Sequence, residues 1–379
     1  MKIAIWWNIP CKSIVPVARE LSEMPGVDVT FISESDLSSS RKNLGWDMPE
    51  FGDLEYRVLP LVNWREDVKK QMYSDYDLHI FNGVYYFRKL RFALDTARKL
   101  NRTFGVISEA YHNPYTGIKR VLKKVYSRVV TPFRVLPRVR KAKFLLSASG
   151  DIREPFINLG WRSDQIYPFG YFPENNGLEF LRDTKSSEPN LLCTGLINKN
   201  KGQHLLVHAL SNLVKDNIEF RCTITGTGPE ELRLRDRVNQ MGLGDYITFT
   251  GVVSDAELNR IKARADLFIA PGLEEPWGIR VNEALLCGTP AITSDGIGAS
   301  ELVRYSGAGR VFKKGSVDSL TVQLRQILNG EELNCCKSKA IDFSRKITPK
   351  AAAYYLMSVV NYTVNDMGPK PIPIWISEA

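Results

Sequence analysis

Everything that would anchor or cross-link this chain is scarce in its sequence. No run of about eighteen uncharged apolar residues occurs, so a membrane-spanning helix is not expected. The opening Met1-Lys2-Ile3-Ala4-Ile5-Trp6-Trp7 lacks the charged start, long apolar middle and small-residue exit of a secretory leader. It reads more simply as a first buried strand, and the expected compartment is the cytoplasm. Only six cysteines are present: Cys11, Cys193, Cys222 and Cys287 stand singly, and Cys335-Cys336 are adjacent, a poor geometry for a bridge or a zinc clamp. None of the four histidines stands at ligand spacing to a cysteine, so no metal site is expected. Internal repeats and low-complexity tracts are missing too.

Acidic charge is missing from one stretch. Residues 1–175 hold 27 Lys+Arg against 19 Asp+Glu and the remainder 24 against 23, so the net charge of +9 lies almost wholly in the first half. Residues 111–150 carry ten of those cations and no acid. Within them Ile118, Val121, Leu122, Val125 and Val129 recur at helical spacing with the cations largely off the stripe. Such a basic amphipathic helix is expected to meet an anionic membrane surface through the 118–143 tract, each cation adding up to about 1 kcal/mol. The plain alternative is a solvated helix with its stripe in the core. A nucleic-acid partner would call for base-stacking aromatics or a known module, which are not found.

What is present points to a soluble α/β protein. At 379 residues, 44% hydrophobic and 25% charged, the chain suits two globular domains. Short apolar runs alternate with amphipathic helical stretches, the pattern of parallel sheets covered by helices on both faces. Strands are predicted at 2–7, 27–32, 78–81, 103–108 and 144–148, with helices at 15–23 and 87–100. The pattern restarts with strands at 190–194, 219–225, 247–250, 267–270, 291–293 and 310–312, separated by helices at 204–214, 230–241 and 255–263. A last helix is predicted at 349–364. The domains are 1–172, a polar linker 173–189, 190–345, and a 346–379 tail expected to pack back on the first. Two doubly wound domains place a ligand crevice at the carboxyl ends of their strands.

The densest chemistry lies in Glu275-Pro276-Trp277-Gly278-Ile279-Arg280-Val281-Asn282-Glu283, after a strand ending Ala270-Pro271. Glycine at a turn lets backbone approach a ligand, and free amides at the following helix start suit a pyrophosphate. Glu275 precedes those amides and Glu283 lies about two turns deeper, so one carboxylate can meet a sugar and the other a ribose. An isolated glutamate pair would more simply be a helix cap and a solvated residue. The context tips the balance: Gly288-Thr289-Pro290 feeds the next strand, and a glycine-bearing loop at 295–303 follows.

These residues resemble the family-4 retaining glycosyltransferases (glycosyltransferase group 1), whose hallmark is two glutamates separated by seven residues before a Gly-Thr/Lys-Pro segment. Residues 194–202, ending in Lys201-Gly202, are similar to that family's donor-phosphate loop. Gly226-Thr227-Gly228 resembles its glycine turn, and Phe249-Thr250-Gly251-Val252-Val253 the strand exit beside the nucleobase. The resemblance spans about residues 190–312. It implies a GT-B architecture of two Rossmann-like domains facing an interdomain cleft: an acceptor-binding first domain and a nucleotide-sugar-binding second. It further implies a UDP- or GDP-sugar donor, no obligatory cofactor or metal, and direct transfer with retention. The implied acceptor is a glycan or lipid-linked glycan of bacterial polysaccharide assembly, reached from the inner face of the cell membrane. By the resemblance Glu275 contacts the donor sugar, Glu283 the ribose, and Lys201 the pyrophosphate. Gly195, Gly226, Gly228 and Val252 line the nucleotide, and amides near Trp277, Gly278 and Ile279 cradle the transferred end. The family commonly has arginine after the glycine corresponding to Gly195, and Leu196 stands there instead. Phosphate charge then rests on Lys201, helped by Lys199 or Arg280.

On the acceptor side, Ser108-Glu109-Ala110-Tyr111-His112 follows a predicted strand. Glu109 is the only acid in residues 101–150 and is a candidate to take or orient an acceptor hydroxyl, with His112 behind it. A loop glutamate paired with a lysine is an equal reading. The loop at 7–13 has no glycine pair, so close backbone approach is not expected there. The segment 168–173 resembles the family's crossing into the linker and lines a cleft or simply packs. Competing readings of the chain are a basic nucleic-acid binder, a non-catalytic scaffold, or a sugar epimerase of the same fold.

Overall fold

Strand β1 (Lys2–Trp7) has one exposed residue followed by five buried ones, as a strand covered on both faces requires. In this computed structural model residues 1–37, 47–84, 87–110, 131, 133–174, 188–328 and 331–376 are described. The chain forms two compact units, one of Met1–Lys42, Asp47–Glu174 and Pro349–Ala379 and the other chiefly of Asn175–Thr348.

The first unit holds β1, β2 (Asp28–Ser33), β3 (Glu55–Val58), β4 (Leu78–Asn82), β5 (Phe104–Ser108), β6 (Leu145–Ser147) and β7 (Ile166–Pro168). They form one parallel sheet in the order β3-β2-β1-β4-β5-β6-β7, with Ile3 opposite both Val29 and Leu78. Its helices include α1 (Val15–Ser22), α2 (Trp64–Tyr73), α3 (Arg88–Lys99) and the single turn α4 (Glu154–Ile157). α3 buries Leu90, Ala93, Leu94 and Ala97, the stripe of a helix lying on a sheet. The sequence reading finds five of these strands and misses β3, β7 and α2. β3 is an edge strand with exposed side chains, β7 has three residues, and α2 buries only Val68, Gln71 and Met72.

The second unit repeats the plan with β8 (Asn190–Thr194), β9 (Arg221–Thr225), β10 (Ile247–Gly251), β11 (Leu267–Ala270), β12 (Ala291–Ser294) and β13 (Gly309–Phe312). All pairings are parallel in the order β10-β9-β8-β11-β12-β13. Its helices are α5 (Gln203–Lys215), α6 (Glu231–Gln240), α7 (Asp255–Arg264), α8 (Ile279–Leu286), α9 (Ser300–Ser306), α10 (Val317–Leu328) and α11 (Glu331–Ser344). Leu206, Leu210, Ile224, Leu267, Ile269 and Leu324 pack in its core. The strand order reverses between β8 and β11, where an open parallel sheet splits its loops to opposite sides and leaves a crevice.

The final helix, α12 (Pro349–Val364), packs on α1 in the first unit. Phe172 stacks on Trp375 and Phe169 on Tyr355, at centroid distances of 5.8 and 6.4 Å. Among the described residues no helix is long and apolar enough to cross a membrane.

Candidate active site

The crevice at the β8/β11 switch point is a cleft whose lining includes Thr194, Lys201, Glu275, Gly278 and Arg280. Two loops form its mouth and are tied together. After β8, Asn198 accepts the Lys201 amide at 2.9 Å and sets a single 3-10 turn over Lys199–Lys201. Asn200 Nδ2 donates to Glu274 O at 2.8 Å, and Leu273 N donates to Asn200 O at 2.7 Å. Gly202 closes the turn at φ 70°, and a Cβ there would sit 2.0 Å from Pro271 O. Only glycine lets α5 start this close to the β11 loop.

Lys201 Nζ meets Glu275 Oε2 at 2.7 Å, with the two side chains 31% and 17% exposed. Glu275 is fixed through its own main chain, which donates to Gly296 O at 3.0 Å and accepts from Gly298 N at 3.2 Å. Gly278, at φ 91°, then turns the chain into α8. The first-turn amides of such a helix lack intrahelical acceptors and point toward the cleft end of the axis. Trp277 turns its indole inward: it is 1% exposed and donates from Nε1 to Asn282 Oδ1 at 3.0 Å. Whatever contact Trp277 makes with a ligand therefore falls to its main chain.

Glu283, further along α8, turns toward α7. Its Oε2 accepts from Lys262 Nζ at 2.5 Å and from Arg280 Nη1 at 2.8 Å. Burial pushes this carboxyl up, but the charges and hydrogen bonds of Arg280 and Lys262 outweigh it and hold the pKa at about 2. Sequence reasoning missed Lys262. Its signal was a cation on the buried stripe of α7, one turn after Leu258.

The remaining expected positions stand at the ends of β8, β9 and β10. Gly195 N donates to Thr225 O at 3.1 Å, Gly226 N to Gly251 O at 2.7 Å, and Ile197 N to Thr227 O, beside Gly228, at 2.9 Å. Two apolar side chains face solvent there, Leu196 at 48% and Val252 at 56% exposure. Ile279 is the first residue of α8.

In the first unit the β5 and β7 ends bring Glu109 and Tyr171 together, with the Tyr171 hydroxyl donating to Glu109 Oε1 at 2.9 Å. The Ala110 amide donates to Ser149 Oγ at 2.9 Å. Glu109 is exposed over part of its surface; desolvation of its carboxyl raises the pKa against the lowering by Tyr171. At the β1 and β4 ends Asn82 Nδ2 donates to Asn8 Oδ1 at 2.9 Å. His112 and residues 118–130 of the basic tract lie outside the described residues. Within the rest of that tract Arg138 forms a two-pronged pair with Asp95, and Phe133 is 76% exposed.

Residues 180–341 match the family described as glycosyl transferases group 1. The chain is 33% identical over 147 residues to the GDP-mannose-dependent alpha-(1-6)-phosphatidylinositol monomannoside mannosyltransferase of Mycobacterium tuberculosis, covering 37% of this chain and 38% of that one. It is 26% identical over 197 residues to the amylovoran biosynthesis glycosyltransferase AmsK of Erwinia amylovora, covering 50% of this chain and 48% of that one. The chain thus spans about half or less of the length of these curated relatives. Among solved structures, Anabaena Alr3699/HepE in complex with UDP superposes with a TM-score of 0.70 at 16% identity, over 96% of this chain and 100% of that one. The apo lipopolysaccharide outer core galactosyltransferase WaaB gives 0.70 at 13% identity, with the same coverage. Residues 180–341 are thus similar to the group 1 glycosyltransferases, and the chain has the GT-B fold of two Rossmann-like parallel sheets.

Proposed function

We propose that the protein transfers a sugar, with retention at the anomeric carbon, from a nucleoside-diphosphate donor to a hydroxyl of a glycan or lipid-linked acceptor. One observation carries the reading: Lys201 and Glu275 are paired at 2.7 Å in the switch-point cleft, beside the amino end of α8. An ammonium has three donors, so Lys201 can keep its carboxylate while receiving a diphosphate oxygen. Lys201 faces Glu275, Lys262 and Arg280 face Glu283, and the Asp255 charge also acts on Arg280.

In this reading the C1–O bond to the β-phosphate breaks as the bond to the acceptor oxygen forms, the acceptor hydroxyl gives its proton to the Glu109 carboxylate, and negative charge collects on the departing diphosphate. Lys201, Arg280 and the first-turn amides of α8 stabilise that charge where it develops. Glu275 contacts the donor sugar and Glu283 accepts from the ribose. Val252, with Leu196, gives the base an apolar edge. Glu109 and Tyr171 on the first unit receive an acceptor hydroxyl. The UDP bound by the Anabaena protein and the GDP-mannose named for the mycobacterial enzyme make UDP- and GDP-sugars the first donors to test. The phosphatidylinositol monomannoside named for the mycobacterial enzyme and the amylovoran biosynthesis named for the Erwinia protein, together with the basic 118–143 tract, support a lipid-linked or polysaccharide acceptor at an anionic membrane surface.

The test is slow donor hydrolysis over a panel of UDP- and GDP-sugars, alongside thermal stabilisation by UDP and GDP. Release of nucleotide from one donor, lost in Lys201→Ala, is the expected result. No release from any donor, with no stabilisation by either nucleotide, overturns the reading.

A further inference from the structure

Glu283 is held by one oxygen. Lys262 Nζ and Arg280 Nη1 converge on Oε2 at 2.5 and 2.8 Å, and Oε1 takes no hydrogen bond among the described residues. The two cations differ in kind. Arg280 is three residues from Glu283 on α8, is 38% exposed, and moves with the helix it would have to orient. Lys262 comes from α7 and its side chain is 3% exposed.

Lys262 also sits at an improbable address. Leu258, Lys262 and Ala263 are the residues α7 buries, so a charged side chain occupies a position where an apolar one would cost nothing. Giving up hydration is compensated by close acceptors, here the Glu283 carboxylate at 2.5 Å and, more weakly, Asn259 Oδ1 at 3.5 Å. The backbone that carries it is fixed, since Thr289 Oγ1 and Ala265 N both donate to Lys262 O, at 3.0 and 3.1 Å. Nζ therefore reaches Glu283 from an anchored point on a neighbouring helix.

We infer that Lys262 is a positioning residue of the donor site: by holding Oε2 from α7 it orients the Glu283 carboxylate and leaves Oε1 to accept from the hydroxyls of a ribose. Preference for ribo- over 2′-deoxyribonucleotides then depends on Lys262. The inference rests on the reading of Glu283 as the ribose acceptor. The same two cations keep Glu283 ionised, and an ionised carboxylate can only accept, which matches a diol that donates.

The experiment is calorimetric titration of UDP, 2′-deoxy-UDP, GDP and 2′-deoxy-GDP into wild type, Lys262→Met and Lys262→Arg. Wild type is expected to favour the ribo form of its nucleotide by about tenfold, the worth of one charge-assisted hydrogen bond. In Lys262→Met that preference falls to within about twofold, and Lys262→Arg recovers part of it. Lowering the pH from about 8 to about 5 leaves the wild-type ratio flat and erodes what remains in Lys262→Met, because Glu283 there has lost a neutralising cation. The ratio is taken within one preparation, so partial unfolding of a variant cancels. An unchanged ribo/deoxy ratio in Lys262→Met, or equal losses for both sugars, overturns the positioning role. Equal wild-type affinity for the two sugars removes Glu283 from the ribose, and the inference with it, while the donor reading stands. A wild type that binds none of the four overturns the donor reading itself.

Discussion

Lys201 Nζ lies 2.7 Å from Glu275 Oε2 although 74 residues separate them in sequence. The pair exists because the loops after β8 and β11 leave neighbouring strands at the switch point, and because Gly202 lets those loops touch. A lone lysine here would repel its own site's cations, and a lone glutamate would repel the donor. Joined, they present an ammonium with donors to spare.

Replacing Lys201 by alanine leaves Glu275 without its cation and removes the donor that faces a diphosphate. Affinity for the nucleoside diphosphate should fall about 10- to 100-fold, the loss of one charge-assisted hydrogen bond, and donor hydrolysis should fall at least as far. Because both side chains are partly solvated, stability should change by no more than about 1 kcal/mol. Calorimetry and urea titration of the same preparation separate the two effects. Near-normal turnover in Lys201→Ala would remove it from the site.

The residues that were legible in sequence share a physical cause. β8 and β11 are short apolar strands buried on both faces, and their limits coincide with the reading from sequence. β3 was hidden because an edge strand bearing Glu55, Tyr56, Arg57 and Val58 shows no buried alternation. The Lys201–Glu275 pairing was half legible: each residue stood in a recognisable loop, but their contact is made by strand order, which no local pattern encodes. The Lys262–Glu283 clamp was illegible for the same reason, as was the Tyr171–Glu109 bond, whose partners come from the ends of β5 and β7.

Tyr171 should set the titration of Glu109. Its hydroxyl lowers the Glu109 pKa while desolvation raises it, so Tyr171→Phe should move that pKa upward. If Glu109 receives the acceptor hydroxyl, the acid limb of kcat/KM for the acceptor shifts to higher pH, with donor hydrolysis unchanged. The fold should lose about 1 kcal/mol, the net worth of one hydrogen bond. A pH profile that superposes on wild type would exclude Glu109 from the acceptor step.

His79 makes the first sheet sensitive to acid. It lies fully buried, accepts from Trp6 Nε1 through Nδ1 at 3.1 Å, and has no partner for Nε2 among the described residues. Burial, then the nearby Arg102 charge, depress its pKa from 6.5 to about 4. A depressed pKa means the unfolded chain binds the proton first. The associated stability is complete above about pH 6.5 and is lost as pH falls toward about 4, by about 3 kcal/mol in all. His79→Asn keeps an acceptor for Trp6 without a titrating ring. Its unfolding free energy, followed by tryptophan fluorescence in urea, should fall less steeply over that window than the wild type's. Parallel slopes would show that His79 is protonated in the folded chain.

Gly202 and Gly242 offer a matched pair for separating backbone strain from steric contact. Both hold positive φ, 70° and 67°, so alanine at either place carries the same left-handed penalty of about 1 kcal/mol. Around Gly242 an added Cβ meets nothing within 4 Å, whereas at Gly202 it would meet Pro271 O at 2.0 Å. The difference between the two alanine variants therefore reports the contact between the β8 and β11 loops alone. Gly202→Ala should cost about 1–3 kcal/mol more than Gly242→Ala in urea unfolding. The loops can yield only by separating, which pulls Lys201 from Glu275, so Gly202→Ala should also weaken nucleoside diphosphate binding while Gly242→Ala leaves it intact. Equal costs and equal affinities in the two variants would mean that the loop contact contributes nothing to the site.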